Sequence, residues 1–155
     1  MKVEWTYDLA CKTIEKIGLH PLYAPDSKYI EKAKKVINRC LETYIPRPNE
    51  LELVGFFLYD DTSQDDPKFQ NSYGYAVPIE QAQALIGLST SLFDDSKVEA
   101  FYDTVFLHEL AHLAEMNHGD DFETRLHTIQ FNYYTEHCVC FDGKGTLPQR
   151  RTINY

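Results

Sequence analysis

The sequence lacks an apolar run long enough to cross a bilayer, and no segment after Met1 resembles a secretory signal. Charged residues such as Asp8, Lys12 and Glu15 interrupt the apolar residues of that region. The chain contains four cysteines, Cys11, Cys40, Cys138 and Cys140. Their sparse spacing matches no disulfide framework. These absences predict a cytoplasmic protein with reduced thiols and no membrane association.

Basic residues are also few, since 15 Lys and Arg stand against 24 Asp and Glu, for a formal net charge of −9. The longest basic cluster, residues 32–35, has the composition of a solvent-facing side of a helix. Because an acidic chain repels a phosphate backbone, no direct binding of nucleic acid is expected.

The apolar content is sufficient for a core, at 43% of the residues, with 14% aromatic. A chain of 155 residues has the usual size of one domain. No internal repeat or linker divides it, so residues 1–155 are predicted to form a single domain.

Apolar residues recur at helical spacing in four segments of the chain. The predicted helices cover residues 3–17, residues 27–44, a long segment that starts after Ser96, and residues 121–136. Gly18 is expected to end the first helix, and Asp26 or Ser27 to cap the second. Ser96 and Glu99 match a capping box. The third helix is apolar on several sides, which predicts a position in the middle of the fold.

Three segments have the composition of strands, and they cover residues 51–59, 73–77 and 84–89. Residues 79–85 could instead begin a helix after Pro78, but the strand at 84–89 is the preferred interpretation. Gly55 is a candidate for a β-bulge, and Pro78 is expected to end the second strand. Helices and strands in this order predict an α+β fold.

The chemistry of the chain is concentrated in His108-Glu109-Leu110-Ala111-His112. Residues four apart on a helix share a face, so His108 and His112 can direct both imidazoles at one metal ion. Glu109 lies beside that face and can take a proton from metal-activated water. This pattern predicts a zinc site with Glu109 as the general base of a hydrolase.

A catalytic zinc takes three protein ligands and keeps one open position. On a continued helix, His118 would lie about 9 Å further along the axis and away from the ligand face. Asn117 and Gly119 are residues that tolerate a left-handed helix stop, which would let His118 fold back toward the ion. His118 is therefore the predicted third ligand.

The stretch His108-Glu-Leu-Ala-His112-Leu-Ala-Glu-Met-Asn-His118-Gly119-Asp-Asp-Phe122 resembles the signature of the SprT-like, YgjP-like and WLM group of minimal zincin metallopeptidases. In that group a third His follows the helical pair in a short His-Gly or His-Ser turn, and an aromatic residue follows the turn. The resemblance extends loosely upstream to Ile86–Ser89 and Leu92, which resemble the strand and turn before the active-site helix.

This resemblance implies a zincin-like fold with a small twisted mixed sheet, an active-site helix beneath it and additional packing helices. It also implies one zinc ion bound by His108, His112 and His118, with Glu109 as the base. The substrate would be a peptide or protein that adds to an edge strand of the sheet. Residues 86–89 are predicted to be that edge.

Two related groups fit the sequence less well. Metzincins share the His spacing, but they place Gly where this chain has Glu115 and need a downstream Met, whereas the methionines here are Met1 and Met116. SprT proteins that act on DNA-bound protein carry a basic surface or a zinc ribbon. The acidic composition and the unpaired spacing of Cys138 and Cys140 give no support to that role.

Several alternatives stay open at the level of sequence. The chain could be a non-catalytic zinc-containing binding module of the same fold. Glu123 or Glu136 could replace His118 as the third ligand, as in gluzincins. His137, Cys138 and Cys140 could form a second metal site, although adjacent reduced residues without that role are the favoured interpretation. The candidates for stabilising an oxyanion are Arg125, His127, Tyr133, Tyr134 and His137.

Overall fold

A computed structural model describes residues 3–94 and 97–137 of the chain. Within these residues, four α-helices and one four-stranded sheet form a mixed α+β fold, as predicted. The strands are β1 (Glu4–Trp5), β2 (Glu52–Tyr59), β3 (Gly74–Ile79) and β4 (Gln83–Ser89), and the helices are α1 (Asp8–Ile14), α2 (Ser27–Leu41), α3 (Glu99–Ala111) and α4 (Asp120–His137). In this described part, no helix has both the length and the apolar character that a membrane crossing requires.

The first predicted helix is shorter than the helical spacing indicated. The first residues of the predicted segment form strand β1 instead, where Trp5 pairs in parallel with Phe56 of β2. Helix α1 begins only at Asp8. A pairing partner about fifty residues away overrides the local helical pattern. A 3₁₀ turn at Glu15–Ile17 follows, and Gly18 ends it with φ at 86°, so the predicted stop is confirmed.

Helix α2 is formed as its sequence predicts. The side chain of Asp26 accepts a hydrogen bond from the backbone N–H of Lys28 at 3.0 Å, which caps the helix. The buried face, Ala33, Val36, Ile37 and Cys40, belongs to the larger of two apolar cores. The helix ends at Leu41, three residues before the predicted end.

The sheet has the strand order β1-β2-β4-β3, in which β3 alone is antiparallel to its neighbour. A register shift between Leu53 and Gly55 confirms the predicted bulge in β2. Gly87 pairs with Phe57, and a Cβ atom at Gly87 would lie 2.4 Å from Cζ of that buried ring. Gly87 is therefore required for the packing of Phe57 against β4.

Strand β4 is internal, so the prediction that residues 86–89 form an exposed edge is wrong. Leu88 pairs with Leu58 of β2 on one side and with Gly74 of β3 on the other. The continuous apolar run of β4 is the pattern of a strand buried on both faces. The hairpin that joins β3 to β4 places β3 at the outside, and β3 is the edge strand on that side.

Helices cover both faces of the sheet. Helices α2, α3 and α4 pack on one face around Phe56, Leu58 and Ile86. Helix α1 packs on the other face in a smaller core around Phe57 and Tyr59. Helix α3 lies in the middle of the larger core, as its apolar sequence predicts.

The start of α3 differs from the predicted capping box. The helix begins at Glu99, and Val98 is at the N-cap without a side-chain hydrogen bond. Glu99 therefore occupies the first position of the helix, whereas a capping box requires it at the third. Ser96 lies outside the described residues.

Candidate metal centre

Two histidines of the motif are carried by the end of α3. His108 lies in the last turn of the helix, His112 is its C-cap residue, and both side chains are buried. The spacing of four residues places the two rings on one side of the helix, with centroids 5.0 Å apart. The predicted juxtaposition of the helical pair is therefore present.

The helix ends earlier than predicted and by a different means. After Ala111 the chain tightens into a turn, in which the N–H of His112 bonds to the carbonyl of Glu109 at 3.1 Å. Within the described ranges, positive φ angles occur only well upstream, at residues 18, 71, 81 and 82. Neither Asn117 nor Gly119 is left-handed, so the predicted left-handed stop is wrong. The early turn alone gives the chain room to bring His118 back.

Three imidazoles converge at this turn. His108, His112 and His118 each place one ring nitrogen within 4.8 Å of the others, and such a group could hold a metal ion. The Nε2 atoms of His108 and His118 are 3.3 Å apart. Two nitrogens bound at about 2.0–2.1 Å to one tetrahedral ion lie roughly 3.3–3.4 Å apart. The spacing of this one pair therefore fits two ligands of a tetrahedral metal site.

The chemistry of His112 also fits a metal ligand. Its Nδ1 atom lies 3.1 Å from the backbone carbonyl oxygen of Glu115. A carbonyl can only accept, so Nδ1 carries the proton and Nε2 keeps its lone pair for a ligand. Burial lowers the pKa of His112 to about 4, which keeps the ring neutral near pH 7.

One aromatic ring supports all three histidines. The Phe122 centroid lies 4.8 Å from His108, 4.5 Å from His112 and 5.0 Å from His118, and the side chain is fully buried. The motif includes this aromatic residue, but sequence reasoning did not assign it a contact with the three rings. Phe122 lies in the first turn of α4, shortly after His118, and this closeness in sequence could have indicated the contact.

Glu109 belongs to α3, and its fully buried side chain lies beside the edge strand β3. It borders a small cleft of about 50 Å³. The other residues that line the cleft are Tyr75, Ala76, His112, Met116 and His118. The ring of Tyr75 packs against Phe69 on the other face of the sheet, at 4.8 Å between centroids, so the main chain of β3 forms this wall.

The edge strand β3 presents its backbone beside the His cluster. The N–H of Ser89 donates to the carbonyl of Tyr73 at 2.9 Å, which sets the alternation of bonds along the β3–β4 pair. By this alternation, the main-chain groups of Gly74 and Ala76 point away from β4 and toward the outer edge. Pro78 occupies the next such position, where a residue without an N–H is tolerated, so β3 continues to Ile79 and the prediction that Pro78 ends the strand is wrong.

None of the five oxyanion candidates named from the sequence is among the six residues that line the cleft in the described part of the chain. The guanidinium of Arg125 donates from Nε to Glu50 at 2.7 Å, and both side chains are buried. The Tyr133 hydroxyl donates to Asp103, and the Tyr134 hydroxyl lies 3.4 Å from the Thr104 hydroxyl. These groups hold helices and loops together.

The remaining candidates on α4 also lie elsewhere. His127 is exposed and 3.8 Å from Glu123, and His137 is 3.4 Å from Glu42. Neither Glu123 nor Glu136 joins the His cluster within the described residues, where only the three histidines form a group able to hold a metal. Cys138 and Cys140, considered for a second metal site with His137, lie outside the described residues.

No protein-family model matches this chain, and no curated protein or solved structure matches it. What the chain does must therefore be inferred from the chemistry of the His cluster and its surroundings.

Proposed function

We propose that this chain is a zinc-dependent metallopeptidase in which His108, His112 and His118 bind one zinc ion and Glu109 is the general base. One observation carries the proposal. Three imidazoles converge, and two of them, His112 and His118, border a cleft together with a buried carboxylate and the edge strand of the sheet. Two helical histidines, a third histidine and an adjacent Glu are the groups that metal-assisted hydrolysis needs.

The donor set favours zinc over harder cations. Three imidazole nitrogens suit zinc, whereas magnesium and calcium prefer oxygen ligands. A zinc ion, when bound, supplies a Lewis acid that lowers the pKa of water and polarises a carbonyl oxygen. The carbonyl of Glu115 orients the His112 ring for binding, and Phe122 closes the apolar side of the cluster.

Glu109 is placed to move a proton. Its carboxylate is adjacent in sequence to the ligand His108 and borders the same cleft as His112 and His118. A carboxylate oxygen there takes a proton from the attacking water and then delivers it to the nitrogen of the leaving amine. Glu109 is not assigned a ligand role, so zinc binding should not depend on it.

The edge of β3 supports a peptide as the substrate. The backbone groups of Gly74 and Ala76 face the open edge next to the cleft, and an extended peptide can pair with them as an added strand. Main-chain pairing depends little on side chains, so selectivity should be loose. Met116 also lines the cleft, and its flexible thioether can adapt to different side chains.

The proposal is tested with dye-labelled casein, a loosely structured protein, as the substrate. We expect cleavage that stops when zinc is removed with a chelator and returns when one equivalent of zinc is added. Zinc-loaded protein that cleaves neither casein nor a peptide library would contradict the peptidase assignment.

A non-catalytic zinc-containing binding module is the second candidate, and the size of the cleft favours it. The cleft holds about 50 Å³, whereas pockets that enclose small ligands usually hold roughly 300–1,000 Å³. A protein of this kind would retain zinc at the three histidines and show no turnover. The casein assay with zinc analysis of the same sample separates the two candidates.

A further inference from the structure

Gly74 of the edge strand lies close to Glu109 of α3. A Cβ atom at this position would lie 3.2 Å from both Cγ and Oε2 of Glu109. It would also lie 3.1 Å from Cγ1 of Val105, one turn earlier on α3. Ordinary carbon contacts in a protein interior are about 3.5–4.0 Å, so a methyl group here would be crowded. The strand can pack directly onto the carboxylate because residue 74 has no side chain.

The strand itself has little freedom to move away from α3. The buried carboxylate of Asp61 accepts a hydrogen bond from the N–H of Asn71, shortly before β3, at 3.1 Å. It also accepts one from the hydroxyl of Ser89, at the end of β4, at 2.6 Å. The buried hydroxyl of Tyr59 lies 2.7 Å from that of Ser72. These bonds fix the entry of β3 against the ends of β2 and β4.

The helix is equally fixed, because Val105 is fully buried in the larger core. Glu109 is equally buried, but the β-branched side chain of Val105 is stiff, whereas that of Glu109 has three rotatable bonds, so we expect the Glu109 carboxylate to yield to an added methyl group. A carboxylate displaced by even a fraction of an ångström is poorly placed for proton transfer.

We propose that Gly74 is a positioning residue for Glu109, because its missing side chain lets the edge strand hold the carboxylate in place beside the His cluster. The effect of Gly74 on catalysis by Glu109 rests on the proposed function, whereas the contact between the two residues does not. The same residue also directs its main-chain groups toward the outer edge, so the strand that holds the base is the strand proposed to bind the substrate.

The contact is tested by thermal unfolding of the full chain after zinc removal, with Gly74→Ala made in the parent and in a Glu109→Ala background. We expect Gly74→Ala to lower the Tm by about 3 °C or more in the parent and by clearly less in the Glu109→Ala protein. Should the single variant not fold, folding of the double variant would support the contact. An equal shift in both backgrounds, or failure of both to fold, would overturn the proposal.

The positioning role is tested by steady-state kinetics of the zinc-loaded protein. Gly74→Ala should lower kcat about tenfold while KM and the zinc content stay within about twofold of the parent. Gly119→Ala is the matched control, since a Cβ atom at Gly119 would meet nothing within 4 Å. An unchanged kcat in Gly74→Ala would overturn the positioning role. Absence of activity in the parent would count against the peptidase assignment, and the unfolding measurement would still decide the contact.

Discussion

Two clusters of polar side chains are centred on buried residues of helix α3, Asp103 and His108, and they differ in what they bring together. At Asp103, opposite charges meet, because Arg39 donates from Nε and Nη2 to the carboxylate and Tyr133 donates its hydroxyl. At His108, rings of one kind meet, with His112 and His118 around a common point. The first cluster satisfies its own charges and joins α2, α3 and α4. The second gathers like nitrogens, an arrangement that a cation can use.

Burial of polar groups does not by itself indicate function. Burial and the hydrogen bond to Asp103 raise the pKa of Tyr133, which stays a donor within the first cluster. That network is explained by the assembly of three helices. The three converging imidazoles, in contrast, form a group that could hold a metal ion. The variants below test whether the two clusters differ in function.

The largest effect is expected from Glu109→Gln, which removes the proton carrier beside the His cluster. Casein cleavage should fall by about 10²- to 10⁴-fold, with zinc content and Tm close to those of the parent. The matched control is Glu136→Gln, an exposed residue of α4 that was the alternative third ligand. It should keep both zinc and activity. Parent-like cleavage by Glu109→Gln would remove Glu109 from its assigned role.

Asp103→Ala should damage the fold and spare the metal site. Removal of the carboxylate leaves the Arg39 guanidinium without its closest partner and with only the exposed Glu99 carboxylate at 3.8 Å as a counter-charge, so the free energy of unfolding should fall by about 3 kcal/mol. Urea denaturation measures this loss. Zinc analysis at low temperature, where the protein remains folded, should still give the parent value. Loss of zinc from a folded Asp103→Ala protein would show that the two clusters are not independent.

Phe122→Leu should weaken the His cluster without abolishing it. The ring contacts all three histidines, and a smaller side chain lets their orientations relax. The zinc dissociation constant should rise roughly tenfold in a competition titration with a fluorescent chelator. Ile129→Val, a change of similar kind on the buried face of the same helix, is the control and should leave zinc affinity unchanged. Equal affinities in the two variants would contradict a role for Phe122 at the site.

Tyr133→Phe is expected to have the smallest effect. It removes one hydrogen bond to Asp103 while Arg39 still pairs with the carboxylate, so the free energy of unfolding should fall by about 1 kcal/mol. Zinc affinity and cleavage should not change. A loss as large as that of Asp103→Ala would mean that the hydroxyl, rather than the ion pair, holds the cluster together.

The features that could be predicted from the sequence are those with local causes. The cap at Asp26 and the stop at Gly18 depend on a few neighbouring residues. The bulge at Gly55 and the shared face of His108 and His112 follow from the geometry of a single strand and a single helix. Each of these predictions is confirmed.

The features that could not be predicted depend on distant parts of the chain. Strand β1 exists because Trp5 meets Phe56, and β4 is internal because β2 and β3 flank it. The contact between Gly74 and Glu109 joins a strand and a helix that no local pattern relates. The end of α3 at Ala111 likewise lacks the Gly or Asn that usually marks a helix stop.

The central claim is that the three converging histidines bind one zinc ion, and metal analysis of the purified protein beside His118→Ala tests it most directly. The parent should contain about one zinc per chain, and the folded His118→Ala protein should contain almost none. His127→Ala, which changes an exposed histidine of α4, is the matched control and should keep the parent content. A parent that binds no zinc, or a His118→Ala protein that binds it as the parent does, would contradict the claim.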